Sequence, residues 1–325
     1  MNIGIIGAGS IAGTMARTVA AIPEQAQIYA IASRSLEKAQ KFAAEYNIPK
    51  AYGDYEEMLE NPSVDLVYIA TPHSQHYQNM KLCLKHRKAV LCEKSFTRNA
   101  YEAEEILKEA EEKKVLVTEA IWTRYMPSRK IIMDEIASGI IGEVEHISTN
   151  LHYSIAFKQR MTQPELAGGA LLDLGVYTLN FAMMFFGNEI KKIESSVMLT
   201  DSGVDRFNCI TVFFENGRTA VLTSGFTNRS DRGGTFYGDK GYAVVANINN
   251  PQSISFYDTD DRLLKKIDFP EIATGYEYEV LECKDILAQG KIECPSMPHE
   301  ETIRIMKIMD SLRKQWGVIY PCETL

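Results

Sequence analysis

Met1-Asn2-Ile3-Gly4-Ile5-Ile6-Gly7-Ala8-Gly9-Ser10-Ile11-Ala12-Gly13 opens the chain, and its reading decides the fold. Ile3–Ile6 is a short apolar run without alternation, the pattern of a strand covered on both faces. Beyond it, Ile11, Met15, Val19 and Ile22 recur at helical spacing. Between strand and helix stands G-x-G-x-x-A. Gly7 permits a tight turn, Gly9 lets backbone approach a pyrophosphate, and small Ala12 lets helix and strand pack closely. The N–H groups of Ser10, Ile11 and Ala12 then face the phosphates. Such a motif is weak alone, but directly after a strand and opening a helix it reads as a dinucleotide-binding turn.

Working outward, the alternation continues to about residue 120. Further apolar runs lie at Ile28–Ala32, Val64–Ala70, Ala89–Cys92 and Val115–Val117. Helical patterns separate them: Leu36–Tyr46 behind a Ser35 cap, and a helix opened by the capping box Asn99-Ala100-Tyr101-Glu102. The class is α/β, with a Rossmann-type doubly wound parallel sheet. After residue 120 the rhythm changes. A helix with Pro127 near its start runs to Gly139, and a second helical pattern spans about Ala167–Phe186. Strands with turn chemistry follow and almost no helix, until a closing helix from about His299 to Gln315. Thr211–Glu215 and Arg218–Thr223 flank Asn216-Gly217, a strong hairpin signal. Residues 1–120 are thus expected to form the dinucleotide-binding domain. Residues 121–325 are expected to form an α+β domain on an open, predominantly antiparallel sheet of about six strands, with helices on one face.

Composition narrows the partners. The chain has 325 residues with a formal charge of −8, and no basic run of the kind that displaces counterions from nucleic acid. No stretch is read as a membrane span of ~20 apolar residues. The six cysteines, Cys83, Cys92, Cys209, Cys283, Cys294 and Cys322, show no metal spacing and are expected to be reduced and packed. No metal is expected. The start runs straight into a strand without a cationic leader, so the protein is expected to be cytoplasmic.

Cofactor choice is read at the end of the second strand. NAD sites usually place an acid there for the ribose 2′-OH, whereas an Arg accommodates the 2′-phosphate of NADP. Here Ile28–Ala32 ends in Ser33-Arg34, with Lys38 nearby and no carboxylate before Glu37. NADP is favoured over NAD. Ligands in open parallel sheets bind outside the carboxyl ends of the strands. The groups leaving those ends are Thr71-Pro72-His73 with His76, Glu93-Lys94, and Glu119. A charged pair directly after a buried strand is costly unless paired or used. A second constellation is Gly168-Gly169-Ala170-Leu171-Leu172-Asp173-Leu174-Gly175-Val176-Tyr177. Asp173 and Tyr177 share one helix face, with Leu172, Val176 and Leu179 on the apolar other.

At these residues the sequence resembles the glucose–fructose oxidoreductase / inositol dehydrogenase (Gfo/Idh/MocA) family along essentially its whole length. Gly7–Ala12, Thr71-Pro72, Glu93-Lys94 and Gly168-Gly169 with Asp173 and Tyr177 stand in the family's order. Glu119-Ala120-Ile121-Trp122-Thr123-Arg124-Tyr125 is most similar to the dimeric dihydrodiol dehydrogenases and NADP-dependent xylose-type dehydrogenases. Ser95 replaces the family's proline after the lysine, which would loosen the backbone there. Tyr177 stands where many members carry His.

The resemblance implies a nicotinamide-dependent oxidoreductase acting on a sugar, polyol or dihydrodiol CH–OH group. A free phenol, pKa near ~10, is a poor base at neutrality, and a neighbouring ammonium lowers that value. Tyr177 is therefore assigned as general acid/base, Lys94 as its electrostatic partner and Asp173 as the group orienting substrate. Lys94 as the base itself remains the alternative. Trp122, Arg124, Tyr153 and Phe157 are candidate pocket walls. Rival readings are a non-catalytic dinucleotide sensor and an NAD-dependent inositol-type dehydrogenase. Bulky residues at successive positions in Thr211-Val212-Phe213-Phe214 and Ala220-Val221-Leu222 put apolar groups on both sheet faces, and a homodimer, or a tetramer of dimers, through that sheet is expected.

Overall fold

A computed structural model describes every residue except Cys322, Thr324 and Leu325, so the expectation for Cys322 lies outside the described residues. Two compact units are present: Met1–Tyr125 with Ile272–Lys307, and Met126–Glu271 with Ile308–Leu325. The return of residues 272–307 to the first unit is absent from a division drawn at residue 120.

The first unit is built on a six-stranded sheet: β1 (Asn2–Ile6), β2 (Gln27–Ala32), β3 (Lys50–Tyr52), β4 (Leu66–Ile69), β5 (Ala89–Glu93) and β6 (Val117–Ala120). Its order is β3-β2-β1-β4-β5-β6, and every pairing is parallel. Ile3, Ile5, Ile6, Val67, Ile69, Val90 and Leu91 are wholly buried, as unalternating apolar runs require. The crossovers are α1 (Ser10–Ala20), α2 (Leu36–Tyr46), the short α3 (Tyr55–Leu59), α4 (His73–Lys85) and α5 (Ala100–Lys113). Ser35 and Asn99 cap α2 and α5 by accepting the Lys38 and Glu102 N–H groups. His73 and His76 thus lie on α4, the first at its start.

The second unit opens with α6 (Pro127–Ala137), β7 (Val144–His152) and the short α7 (Gln159–Thr162). A π-turn, Leu171–Gly175, then runs into α8 (Val176–Phe186). Strands β8 (Ile190–Leu199), β9 (Asp205–Phe214), β10 (Thr219–Gly225), β11 (Gly234–Gly238), β12 (Gly241–Ala246), β13 (Ser253–Asp258) and β14 (Leu263–Asp268) complete an eight-stranded sheet. The expected six strands become eight because exposed β8 and β14 carry too many charges to read as strands by apolar pattern. Asn216-Gly217 does join an antiparallel pair, β9 and β10. One pairing, β7 with β10, is parallel; the others are antiparallel.

Val212, Phe214, Ala220, Leu222, Phe236 and Phe256 fill one face of this sheet, and α8 packs on β7 and β10. Thr211, Phe213, Val221, Tyr242 and Tyr257 stand half-exposed on the other. Pro164–Phe186 is, by length and composition, apolar enough to cross a membrane, a run the sequence reading passed over; 89% of its window is buried inside the fold.

The chain closes with α9 (Glu277–Ala288) and α10 (His299–Trp316). Helix α9, in a stretch read as lacking helix, packs against α1, and Thr274 Oγ1 lies 2.6 Å from Thr18 Oγ1. These contacts place residues 272–307 with the first unit. Buried Glu277 accepts the N–H groups of Ala273, Thr274 and Gly275, which shapes the entry to α9.

Candidate active site

The turn between β1 and α1 is open to an anion. Gly7 has φ +100°, and a Cβ there would lie 2.9 Å from the Ala70 carbonyl oxygen. Gly9 is the N-cap of α1, and the nearest atom to a Cβ there would be 3.9 Å away, so the space above the backbone is clear. Among the described residues no side chain caps α1, and its first turn holds no acid, which leaves the N-terminal N–H groups and the helix dipole for a phosphate. Ala12 is wholly buried against the sheet. These residues fit a dinucleotide pyrophosphate.

At the end of β2, Ser33 is buried while Arg34 and Lys38 are exposed. The Lys38 N–H is taken by Ser35 Oγ, but its side chain points outward. Burial raises the Tyr55 phenol, and the positive charge of Arg34 opposes that rise, so Arg34 acts on the same edge. The only acid in the first turn of α2 is exposed Glu37.

Thr71, Pro72, His76, Glu93 and Lys94 converge at the carboxyl ends of β4 and β5. His76, wholly buried, sets both ring nitrogens 2.8 Å from carbonyl oxygens, those of Thr71 and Ser95. Two carbonyls accept but cannot donate, so only the imidazolium satisfies both contacts. Burial nevertheless lowers the His76 pKa, against the contacts to Thr71 and Ser95. The ring stands between the Thr71-Pro72 loop and the lysine segment, and in its neutral form donates to one of the two carbonyls. Thr71 Oγ1 also accepts from Asn79, and the His73 ring meets His76 edge-on.

Glu93 is buried and accepts the hydroxyl of fully buried Tyr68, a phenol held well above its ordinary pKa by burial and by the charges of Glu93 and Glu279. Lys94 follows, half-buried. The Lys94–Ser95 peptide is cis. Ser95 is wholly buried, and side chains hold the segment where the family uses a proline. His76 Nδ1 lies 2.8 Å from the Ser95 carbonyl oxygen, and Glu119 accepts the Phe96 N–H at 3.2 Å. Burial pushes the Glu119 carboxyl up to about 7, opposed by Thr302, the Phe96 N–H, Arg124 and Lys94. The sequence placed Glu119 at a strand end without a role; its partner, Phe96, lies 23 residues away, beyond any local pattern.

In the second unit, Asp173 lies on the π-turn and Tyr177 in the first turn of α8, 4% and 6% exposed. Leu172, Val176 and Leu179 are wholly buried. Asp173 Oδ1 accepts from Arg160 Nη1 at 2.6 Å, which supplies its countercharge. Arg160 was not a sequence candidate. The glycine pair explains how it arrives: a Cβ at Gly168 would meet the Met161 and Arg160 carbonyl oxygens at 2.8 and 2.9 Å, so only glycine lets that segment approach.

The candidate pocket walls fall in different surroundings. Trp122 stacks on Tyr276, centroids 4.3 Å apart. Arg124 is 3% exposed and pairs with Glu301 at 2.9 Å. Tyr153 receives hydrogen bonds from Arg232 and Asn249 at 3.2 and 3.3 Å. Phe157 is 80% exposed. Among the described residues no group of three or more His, Cys, Asp or Glu could hold a metal ion.

A parallel sheet whose first strand ends in a glycine turn and an uncapped helix, followed by a second sheet unit, defines a two-unit dinucleotide-binding protein. Residues 1–121 match an oxidoreductase family with an NAD-binding Rossmann fold, and residues 132–244 match the GFO/IDH/MocA C-terminal domain. The chain is 31% identical to a trans-1,2-dihydrobenzene-1,2-diol dehydrogenase of Mus musculus, over 98% of this chain and 97% of that one. The enzyme of the same name from Danio rerio is 32% identical over the same shares. Among solved structures, KijD10, a 3-ketoreductase from Actinomadura kijaniata in complex with NADP and TDP-benzene, superposes with a TM-score of 0.86 at 23% identity, over 97% of each chain. An aldose-aldose oxidoreductase from Caulobacter crescentus gives 0.85 at 19%, over 98% of this chain and 97% of that one. The chain belongs to the GFO/IDH/MocA family, and it is an NAD(P)-dependent oxidoreductase.

Proposed function

We propose that the protein is a cytoplasmic, NADP-dependent dehydrogenase for a carbohydrate-like alcohol: a sugar, a polyol or a dihydrodiol. The observation that carries this reading is the pairing of Asp173 with Arg160 on the turn that leads into Tyr177. The pair gives a buried carboxylate a countercharge at the place where it would accept from a substrate hydroxyl. The names of the relatives support the substrate class, since they act on a dihydrodiol and on aldoses. Bound nicotinamide supplies the hydride acceptor. Asp173 orients the alcohol, Tyr177 takes the hydroxyl proton, and the Lys94 ammonium stabilises the phenolate. Gly7, Gly9, Ser10, Ile11 and Ala12 hold the pyrophosphate. Thr71-Pro72, His73, His76 and Glu93 shape the nicotinamide end.

A panel of aldoses, dicarbonyls and dihydrodiols, assayed with both cofactors, tests this. Cofactor-dependent turnover of at least one member supports it, and tight cofactor binding with no turnover on any member favours the sensor reading.

Cofactor choice follows from Ser33-Arg34 and Lys38, with no acid at the end of β2. Arg34→Ala is expected to weaken NADPH binding by about 1–3 kcal/mol, the scale of a charge-assisted hydrogen bond, and to leave NADH nearly unchanged. Titration by nicotinamide fluorescence reads both, and equal losses would remove Arg34 from the 2′-phosphate.

We also propose a homodimer through the second sheet. Its half-exposed face carries Phe213, Val221, Tyr242 and Tyr257, with the last two rings stacked at 4.9 Å. Exposed apolar area of this kind marks an interface. Light scattering is expected to give about twice the 36.6 kDa chain mass, and the chain mass itself would contradict the dimer.

A further inference from the structure

Asp205 begins β9 and is wholly buried. A buried carboxylate is costly unless it holds something in place. Its Oδ2 accepts the Leu171 N–H at 2.7 Å and Asn208 Nδ2 at 2.9 Å. Asn208 Oδ1 accepts the Ser224 hydroxyl at 2.9 Å, and both residues are wholly buried. The two ends of this chain of bonds lie under two glycines. A Cβ at Gly169 would sit 2.2 Å from Asp205 Oδ1, and one at Gly175 would sit 3.1 Å from Ser224 Oγ. A buried polar chain therefore underlies the π-turn Leu171–Gly175, from its first N–H to its last residue. Asp173 is on that turn, and Tyr177 follows it.

We propose that Asp205 is a positioning residue for the reaction: with Asn208 and Ser224 it fixes the π-turn, and so the placement of the Asp173 carboxylate and the Tyr177 hydroxyl. Asp205 has this role only if Asp173 and Tyr177 serve the reaction as proposed above.

The ionised form holds the turn best. Burial pushes the Asp205 carboxyl up to about 7, against the bonds from Asn208 and Leu171 and the charge of Arg313. Arg313, on α10, is the cation facing it, and is itself pinned by Asp310 and Glu323. The Tyr320 ring lies 4.5 Å from that guanidinium, and its hydroxyl donates to the Gly168 carbonyl at 2.7 Å. Burial raises the Tyr320 phenol, so it stays protonated while Asp205 titrates. Asp205 Oδ1 has no side-chain or backbone hydrogen-bond partner among the described residues, which makes it the oxygen that takes a proton as pH falls. Oδ2 then keeps its two donors as a neutral acceptor, and charge-assisted bonds are roughly twice as strong as neutral ones.

Stability runs the other way. The folded value lies above the ~3.9 of an unfolded aspartate. The folded chain thus binds more protons between about pH 4 and about pH 7. This contribution to stability is full below about pH 4 and is lost as pH rises through about 7. The charge that fixes the turn costs stability, and opposed trends of turnover and stability distinguish positioning from simple structural support.

Asp205→Asn keeps size and an acceptor but removes the titration. Its kcat at about pH 8 is expected to fall about tenfold, the scale of weakening one charge-assisted bond, with cofactor Kd unchanged. Its melting temperature is expected to lose the wild-type decline as pH rises from about 4 to about 7. Wild-type kcat in folded Asp205→Asn would overturn the proposal. If that variant does not fold, Ser224→Ala carries the test at the other end of the chain. About threefold lower kcat with unchanged cofactor affinity supports the proposal, and unchanged kcat overturns it. Tyr177→Phe, measured in parallel, separates the two claims. Normal turnover there overturns the site assignment, and Asp205's role with it. A dead Tyr177→Phe beside a normal Asp205→Asn or Ser224→Ala overturns only the role of Asp205.

Discussion

Tyr177→Phe is expected to lower turnover by ~10²–10⁴, the usual worth of a general acid–base group, while the cofactor binds as before. The ring is 6% exposed among wholly buried Val176, Thr178 and Leu179, and phenylalanine keeps that packing. Only the hydroxyl is lost. In the proposed site the phosphates belong to Gly7–Ala12, in the other unit, so NADPH affinity is expected to stay unchanged. Stopped-flow or steady-state rates beside a cofactor titration read both quantities. Near-normal turnover would move proton transfer to Lys94.

Lys94→Ala is expected to cost a similar ~10²–10⁴, with a further signature in pH. Removing a cation raises the pKa of a phenol it stabilises towards the unperturbed ~10. The residual rate should therefore keep rising with pH beyond the wild-type optimum. A residual rate with an unshifted profile would mean that Lys94 acts on substrate or nicotinamide and not on Tyr177. Loss of NADPH affinity on the scale of the rate loss would instead make it a cofactor ligand.

The first sheet was legible because strands buried on both faces have to be apolar throughout, as Ile3–Ile6 and Val67–Ile69 are. What escaped was short or polar. β3 has three residues, and α4 begins His73-Ser74-Gln75-His76 behind Pro72, without a side-chain cap to announce it. In α9, buried Glu277 and Glu279 stand where apolar residues would mark the periodicity. The strand expected at Val115–Val117 lies instead at Val117–Ala120, because the residues pairing with β5 include Glu119. The parallel pairing of β7 with β10 joins residues more than 70 apart and has no local signature.

The candidate site divides in the same way. The glycines, Lys94, Asp173 and Tyr177 could be singled out because their residue types are unusual where they stand. Their supports could not be. The π-turn is hidden because Ala170–Leu172 and Leu174–Val176 contain only apolar residues and glycine, so a change of hydrogen-bond period leaves no trace. Arg160 and Asp205 reach the turn from 13 and 34 residues away, through contacts that folding alone creates. Ser95 reads as a loosened backbone, yet buried His76 and Glu119 hold the segment through its carbonyl and the next N–H.

The central claim is direct hydride transfer between a CH–OH carbon and the nicotinamide, with Tyr177 and Lys94 handling the proton. Label transfer tests it most directly. A substrate found in the panel is deuterated at the carbinol carbon and incubated with NADP⁺, and the reduced cofactor is weighed by mass spectrometry. The account predicts deuterium on the cofactor from wild type, and almost none in the same time from Tyr177→Phe or Lys94→Ala. Reduced cofactor without the label, or equal labelling by wild type and both variants, would contradict it.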